Sequence, residues 1–347
     1  MKARVLEYGH QAFHGLRTLT FLGEYRLLHG VTSLFRPWVT PAGERPPEAI
    51  AQRDFLLKDI QALYRQDAEL FAHRGVPLSV LRPESPLAHG KRLTRIMWEG
   101  LKMARQRKLN QTEVGVPLAE ESDLPEYFLR NFHWQIGGYL TEGSGEIYDH
   151  QVEILFTGTA QAMRRLVLFP ILDFARRHPE RTSILEIAAG TAPLTSTLRA
   201  TLPAHRLTVT DLSSAYLKVA ERRLADPALS FQQCKAEALP FPDASQDLVF
   251  SVFLFHELPA EVRQAAIKEM KRVLRPGGLL VIADSIQEND VPEYQWALER
   301  FPQDYHEPFY RGYTRWPLRE ALAAHGFSEL QEKRGFFTKC VWGTKAD

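Results

Sequence analysis

The chain is poor in cysteine, in net charge and in long apolar runs. Its 347 residues include two cysteines, Cys234 and Cys340, and 43 basic side chains against 42 acidic ones. Two cysteines in predicted strands indicate small buried side chains rather than disulfides, as expected for a protein of the reducing cytoplasm. A formal charge of +1 provides no field for nucleic acid, and no apolar stretch is long enough to predict a membrane span.

Glycine is scarce at the turn where a dinucleotide site needs it. Residues 183–211 read SILEIAAGTAPLTSTLRATLPAHRLTVTD. The segment predicts a buried strand, a tight turn, a helix and a second strand ending at Asp211, an acid placed to bind ribose hydroxyls. This turn keeps only Gly190, and Glu186 would repel phosphate but suit a cationic ligand. The pattern favours S-adenosylmethionine over a dinucleotide, although alone it also fits an ordinary strand–helix turn.

Four sequence segments, the first two of which overlap residues 183–211, follow one another in the second half of the chain. They are LEIAAGTA, VTDLSSAYLKVAERRL, EALPFPDASQDLVFSVFLFHELP and MKRVLRPGGLLVIADS. Over about residues 181–345, their order and spacing resemble class I S-adenosylmethionine-dependent methyltransferases, in particular the UbiE-like enzymes of small molecules. The resemblance implies a Rossmann-like, doubly wound α/β fold with a mostly parallel seven-stranded sheet. It also implies S-adenosylmethionine as cofactor and a small-molecule methyl acceptor.

The candidate cofactor-binding residues fall mainly at predicted strand ends, which meet at one edge of a parallel sheet. We expect the cofactor to contact Glu186, Ala188, Gly190, Thr191, Asp211, Leu212, Ala236, Glu237, Val252 and, by resemblance, Tyr148. Lys235 stands where the family often has an acid that reads adenine, and lysine cannot accept a hydrogen bond. We therefore assign adenine recognition to the backbone of Ala236 or to Glu237.

The candidate catalytic residues are His256 and Glu257, which follow the fourth predicted strand. A histidine with an ordinary pKa near 6.5 can take a proton from a hydroxyl acceptor. The alternative role for His256 is to support its loop by hydrogen bonds. The candidate acceptor-binding residues are His133, Tyr139, Arg164, Tyr305, His306 and Tyr310, for which packing of the domain joint or of a surface loop is the alternative.

The first 180 residues predict a helical extension. Residues 48–74 and 91–108 carry apolar side chains on one helical face, and a loop rich in proline and glycine occupies 36–48. We divide the chain into a helical domain (1–125), linking helices that cover the pocket (126–180) and a cofactor-binding domain (181–347). His10 and His14 share a helical face, but no third ligand is near in sequence, so no metal is expected. The extension either forms a homodimer or caps the pocket.

The predicted reaction is a direct displacement at the methyl carbon, with oxygen, sulfur or carbon as the acceptor atom. The segment from YFLRNFHWQIGGYL to MRRLVLFP is similar to bacterial S-methyltransferases of methylthio-hydroxy acids. The alternative to an enzyme is a protein that binds S-adenosylmethionine or its product to regulate or to scaffold.

Overall fold

A computed structural model describes residues 2–35, 38, 47–113 and 124–346. Along the described chain, helices come first and the strands of a single sheet begin at Ser183. The helices are α1 (Lys2–Leu34), α2 (Pro47–Ala51), α3 (Arg53–His73), α4 (Pro86–Leu109), α5 (Glu142–Leu155), α6 (Ala160–Arg164), α7 (Leu168–Arg177), α8 (Thr195–Thr201), α9 (Ser214–Leu224), α10 (Ala260–Val273), α11 (Gln295–Asp304), α12 (Tyr310–Thr314) and α13 (Leu318–Ala324). The strands are β1 (Ser183–Ile187), β2 (Arg206–Asp211), β3 (Leu229–Gln233), β4 (Gln246–Val252), β5 (Leu274–Ser285), β6 (Phe327–Gly335) and β7 (Thr338–Lys345).

The seven strands form one sheet in the order β3-β2-β1-β4-β5-β7-β6. Strands β1 to β5 pair in parallel, whereas β7 runs antiparallel to both β5 and β6. The chain winds from β1 outward to β3 and then returns to the other side of β1. The switch point between β1 and β4 opens a crevice at the carboxyl ends of the strands. The predicted doubly wound, mostly parallel sheet is therefore confirmed.

Both faces of the central strands are buried, which explains their continuous apolar runs. Successive residues of β1 belong to different cores: Ile184 packs on one side and Leu185 on the other. Strand β4 repeats this alternation with Leu248 and Val249. The period of two along a strand sends these neighbours to opposite faces, and helices cover each face.

The helical extension packs on the sheet mainly through α3 and the segment α6–α7. The predicted helices 48–74 and 91–108 are present as α2–α3 and α4, whereas the predicted loop 36–48 lies mostly outside the described residues. The predicted helix 161–176 is interrupted by a 3-10 turn at Arg165–Val167. Pro170 lacks an N–H for a bond to the preceding turn, so a new helix starts at Leu168. In the described part of the chain, no helix is long and apolar enough to cross a bilayer.

A buried charge cluster joins α1, α3 and the turn before α7. Arg165 donates Nε and Nη2 to the two oxygens of Asp67, each at 2.6 Å. His10 and His14 approach the same carboxylate through Nε2, at 3.0 and 3.3 Å. Burial alone would raise the pKa of Asp67, but the Arg165 guanidinium holds it well below the usual range. Burial also lowers the pKa of His14 to about 4, so this ring is neutral at pH 7.

Replacing Asp67 with asparagine is expected to destabilise the protein by about 3–5 kcal/mol, because it leaves the Arg165 charge buried without its carboxylate. Urea unfolding followed by circular dichroism measures the change. Asp54→Asn, an exposed substitution on the same helix, is the matched control and should cost less than about 1 kcal/mol. A loss below about 1 kcal/mol for Asp67→Asn would contradict this account of the cluster.

Candidate functional site

A cleft of about 1020 Å³ lies at the carboxyl ends of β1, β2 and β4, which we call the cofactor cleft. The turn after β1 forms its floor, with left-handed backbone at Ala188, Gly190 and Ala192 (φ 55°, 60° and 56°). A Cβ on Gly190 would have no heavy atom within 4 Å, so glycine leaves open space beside the turn. A ligand can therefore approach this backbone closely, as the sequence predicted.

Asp211 closes β2 and lines the cleft. Its Oδ2 accepts the Gly190 N–H at 2.7 Å, and its Oδ1 accepts the Ser213 N–H at 2.7 Å. Burial raises the pKa of Asp211 to about 6, and these backbone hydrogen bonds oppose the rise. The carboxylate is thus fixed in orientation next to the turn and is ionised at pH 7. A fixed carboxylate of this kind suits the two hydroxyl donors of a ribose.

The cleft wall beyond β3 is apolar and contains Leu212, Cys234 and Ala236. Glu237 does not line the cleft; it accepts a hydrogen bond at 2.8 Å from the hydroxyl of Tyr127, which does. The backbone of Lys235 bridges to Ala238. This wall can hold a flat ring by packing and by backbone groups.

At the other end of the cleft, three helices, α5, α6 and α9, bring charged groups to the turn. Thr191 Oγ1 donates to Asp149 Oδ2 at 2.7 Å, and Arg223 Nη1 donates to the same oxygen at 2.6 Å. Arg164 lines the cleft with its Nη2 3.7 Å from Asp149 Oδ1. Nη1 of Arg164 is buried and has no hydrogen-bond partner among the described residues. A buried, unpaired guanidinium nitrogen fits the carboxylate of a methionine moiety.

Glu186 is the second carboxyl group at this end. It accepts a 2.5 Å hydrogen bond from Thr195 Oγ1, and burial raises its pKa to about 7. Together with Arg164 and Asp149, it gives the end of the cleft both donors and acceptors, which the amino and carboxyl groups of an amino acid require.

Beyond the cleft, four side chains form what we call the junction cluster: His133, Tyr139, Glu257 and Glu307. Tyr139 donates its hydroxyl proton to Glu257 Oε1 at 2.5 Å, and His133 Nε2 lies 3.0 Å from the Tyr139 oxygen. Since Tyr139 has a single proton to give, we assign the proton of His133 to Nε2. Its Nδ1 is then an acceptor, 3.3 Å from Glu307 Oε1.

At neutral pH, His133 and Glu307 are uncharged, whereas Glu257 changes its charge in this range. Burial lowers the pKa of His133 to about 3, and the neighbouring His256 charge contributes. Burial raises the pKa of Glu257 to about 7 and that of Glu307 well above its usual range. Both carboxyl oxygens of Glu307 are buried without a hydrogen-bond partner in the described part of the chain. The cluster therefore offers unused hydrogen-bonding capacity to a ligand.

His256 lies beside Glu257 but is occupied by another partner. Its Nδ1 is 2.6 Å from Asp284 Oδ1, and Asp284 Oδ2 accepts the Phe255 N–H at 2.6 Å. Burial alone would lower the pKa of His256, but the Asp284 carboxylate raises it to about 9. The ring is consequently cationic at pH 7 and has no lone pair with which to accept a proton.

Most of the predicted site residues come together in the cofactor cleft. Its lining includes Glu186, Ala188, Gly190, Thr191, Asp211, Leu212, Ala236, Val252, Tyr148, Tyr139, Arg164 and Glu257. Six others lie outside it: Glu237, His256, His133, Tyr305, His306 and Tyr310. His133 and Tyr305 line a second cavity instead. Tyr310 bonds to Ser285 Oγ at 2.6 Å, and His306 lies 3.1 Å from the Thr112 carbonyl oxygen.

Among the described residues, three groups of side chains have the composition of a metal site. They are His10/His14/Asp67, Glu24/His89/His150 and His133/Glu257/Glu307. No third ligand lies near His10 and His14 in sequence, but the fold places Asp67 of another helix next to them. The Arg165 guanidinium already binds both Asp67 oxygens, and its positive charge opposes a cation there.

Comparison with known proteins identifies the domain that carries the cleft. Residues 184–278 match a family described as a methyltransferase domain. The ubiquinone/menaquinone biosynthesis C-methyltransferase UbiE of Hahella chejuensis is 37% identical over 107 residues, which are 29% of this chain and 42% of that protein. This part of the chain belongs to the class I S-adenosylmethionine-dependent methyltransferase family. The predicted family and cofactor are thus confirmed.

Two further comparisons concern one curated relative and one solved structure. A fatty-acid O-methyltransferase of Mycolicibacterium smegmatis is 34% identical over 128 residues, which are 37% of this chain and 46% of that protein. The solved phosphoethanolamine N-methyltransferase 2 of Haemonchus contortus, bound to S-adenosylmethionine, aligns over 50% of this chain and 51% of that one. Its sequence identity is 15% and its TM-score 0.40. The chain spans less than half the length of either curated relative.

Sequence reasoning missed two residues that the site depends on. Asp149 directly follows Tyr148, a candidate cofactor-binding residue. Its position next to that residue could have indicated a place at the site. Glu307 directly follows His306, but no local pattern indicates that its carboxyl group is buried against His133. Contacts between residues so far apart in sequence depend on the packed fold.

Proposed function

We propose that the protein transfers the methyl group of S-adenosylmethionine to a hydroxyl group of a small molecule. When bound, the cofactor supplies a methyl carbon made electrophilic by its sulfonium sulfur. The acceptor oxygen forms a bond to that carbon, the carbon–sulfur electron pair stays on sulfur, and S-adenosylhomocysteine leaves. The acceptor proton passes to Glu257. The observation that carries the proposal is the ionisable Glu257 at the boundary between the cleft and the junction cluster.

Four groups are assigned to hold the cofactor. Asp211 accepts the ribose hydroxyls, and Gly190 allows the cofactor to lie against the turn. The unpaired Nη1 of Arg164 binds the methionine carboxylate. From the sequence, we instead predict Arg164 to bind the acceptor. The adenine packs near Ala236 and uses backbone hydrogen bonds, since Glu237 is engaged by Tyr127. With these groups holding the cofactor, Glu257 of the junction cluster would be the side chain available to the methyl acceptor.

Glu257 is better suited than His256 to be the general base. A base must be unprotonated when the acceptor arrives, and at pH 7.5 the larger share of Glu257 is ionised whereas His256 is cationic. His256 would instead stabilise the Glu257 carboxylate, from which its Nε2 is 3.9 Å away. His256 is therefore a positioning residue in this proposal.

A panel of acceptors tests the proposed reaction. Purified protein and S-adenosylmethionine are incubated with alcohols, phenols, carboxylic acids, thioethers and amines, and S-adenosylhomocysteine release is measured. We expect turnover with hydroxyl compounds that increases with pH through about 7 as Glu257 ionises. Turnover only with thioethers would replace the proposal by S-methylation. Tight cofactor binding without turnover of any acceptor class would favour the alternative, a protein that binds S-adenosylmethionine to regulate or to scaffold.

A further inference from the structure

A second cavity of about 890 Å³ lies between α1, α4 and α5, and we call it the helical cavity. The apolar part of its lining includes Leu28, Ile96, Met103, Ala104, Val152 and Leu155. These six residues belong to α1, α4 and α5, which precede the residues that match the methyltransferase-domain family.

Several polar residues that line the helical cavity already have partners within the protein. Gln135 donates to the side chain of Gln151 and accepts from Ser144 Oγ. Thr32 Oγ1 donates to the Leu28 carbonyl at 3.0 Å, and Arg107 donates to the Asp304 carbonyl at 2.7 Å. Since Gln135 and Thr32 are paired in this way, the cavity presents mostly apolar surface to an occupant, and burying apolar surface there is favourable.

The helical cavity adjoins the place where methyl transfer is proposed. Tyr148 lines both the cofactor cleft and the helical cavity. His133 lines the cavity, and its Nε2 is 4.0 Å from Glu257 Oε1, which lines the cleft. A molecule that occupied both spaces would therefore lie against Tyr148 and His133, the two side chains between them.

A buried carboxyl group lies behind His133, which lines the helical cavity. Glu307 is 1% exposed and lines neither space, and neither of its carboxyl oxygens has a hydrogen-bond partner among the described residues. Its Oε1 is 3.3 Å from His133 Nδ1, so a ligand hydroxyl that reaches His133 brings a hydrogen-bonding group close to a carboxyl that is costly to leave without a partner. A ligand that places a hydroxyl group at one end and an apolar body in the cavity is an amphiphile.

We infer that the methyl acceptor is an amphiphile whose hydroxyl end meets the junction cluster and whose alkyl body fills the helical cavity. This inference rests on the proposed function for the reaction but not for the binding of the alkyl body. Binding and turnover can therefore be measured separately.

The binding test uses 1-octanol as the probe and isothermal titration calorimetry in the presence of S-adenosylhomocysteine. We expect 1-octanol to bind, with affinity increasing roughly fourfold per methylene along the series from 1-butanol. Ala104→Phe, which fills the cavity from α4, should weaken 1-octanol binding by tenfold or more. Met103→Trp fills the same space and serves if Ala104→Phe does not fold.

The matched control is Ala88→Phe, an exposed position on the same helix, which should leave 1-octanol binding unchanged. Cofactor affinity verifies that each variant is folded. Failure of 1-octanol to bind the wild-type protein, or equal binding to the filled variants, would overturn the inference. Binding with the expected chain-length dependence but no turnover of any alcohol would support the cavity and refute the proposed reaction alone.

Discussion

Replacing Glu257 with glutamine is expected to lower kcat for a hydroxyl acceptor by ~10²–10⁴-fold at pH 7.5, the usual contribution of a general base. The amide keeps the size of the side chain and can still accept the Tyr139 hydrogen bond, but it cannot take the acceptor proton. The Kd for S-adenosylmethionine should change little, because the substitution lies beyond the cofactor-holding groups. Steady-state kinetics and calorimetry measure the two quantities.

The pH profile makes this prediction specific. In the wild-type protein, kcat should increase with pH as Glu257 loses its proton near pH 7, and the Glu257→Gln variant should lack that increase. Glu261→Gln, an exposed position a few residues later, is the matched control and should keep wild-type kinetics. If Glu257→Gln turns over at the wild-type rate, Glu257 is not the base. If His256→Ala alone then abolishes turnover at saturating acceptor, the assignment returns to His256.

Replacing Asp211 with alanine should raise the Kd for S-adenosylmethionine by about 100-fold or more. Two charge-assisted hydrogen bonds to the ribose are lost, each worth about 1.5–3 kcal/mol. The substitution also removes the acceptor that fixes the Gly190 and Ser213 N–H groups. Calorimetric titration of the cofactor measures the change, and Asp211→Asn, which keeps one acceptor oxygen, should lie between alanine and the wild type.

The affinity of the cofactor should also depend on pH through Asp211. The ionised carboxylate is the form that accepts both hydroxyls, so affinity should decrease as the pH falls below about 6. The Asp211→Ala variant should lack this dependence. Asp243→Ala, at a side chain that is 79% exposed, is the control and should bind as the wild type does. Unchanged affinity in Asp211→Ala would refute the assigned position of the ribose.

Much of the cofactor domain could be predicted from the sequence because its signals are local. A buried apolar run, a small-residue turn and an acid at the end of the next strand fall within 29 residues, 183–211, and the structure has them as predicted. Residues 275–278 of β5, RPGG, have the composition of a turn, although the strand begins at Leu274. The pairing with β4 shifts register at this place, from Gln246–Leu274 to Leu248–Leu279, and Gly277 has a φ of 65°.

The junction cluster could not be predicted in the same way. His133 and Glu307 are separated by most of the cofactor domain, and their contact depends on how α11 ends and where the chain turns afterwards. Contacts in the fold also change the ionisation of side chains. Burial alone would lower the pKa of His256, but the Asp284 carboxylate raises it to about 9, which a sequence pattern cannot show. The roles of single titratable groups therefore depend on three-dimensional packing.

Three consecutive residues of α5 contact three different parts of the structure. Tyr148 separates the two spaces, Asp149 holds Thr191 of the cofactor turn, and His150 Nε2 lies 2.8 Å from Glu24 of α1. Successive side chains of an α-helix point about 100° apart, so α5 makes contacts on three sides. A displacement of α5 at Asp149 would therefore also displace Tyr148 and change the shape of the helical cavity. For the proposed reaction, we expect the cofactor to bind before the acceptor, an order that initial-rate kinetics measures.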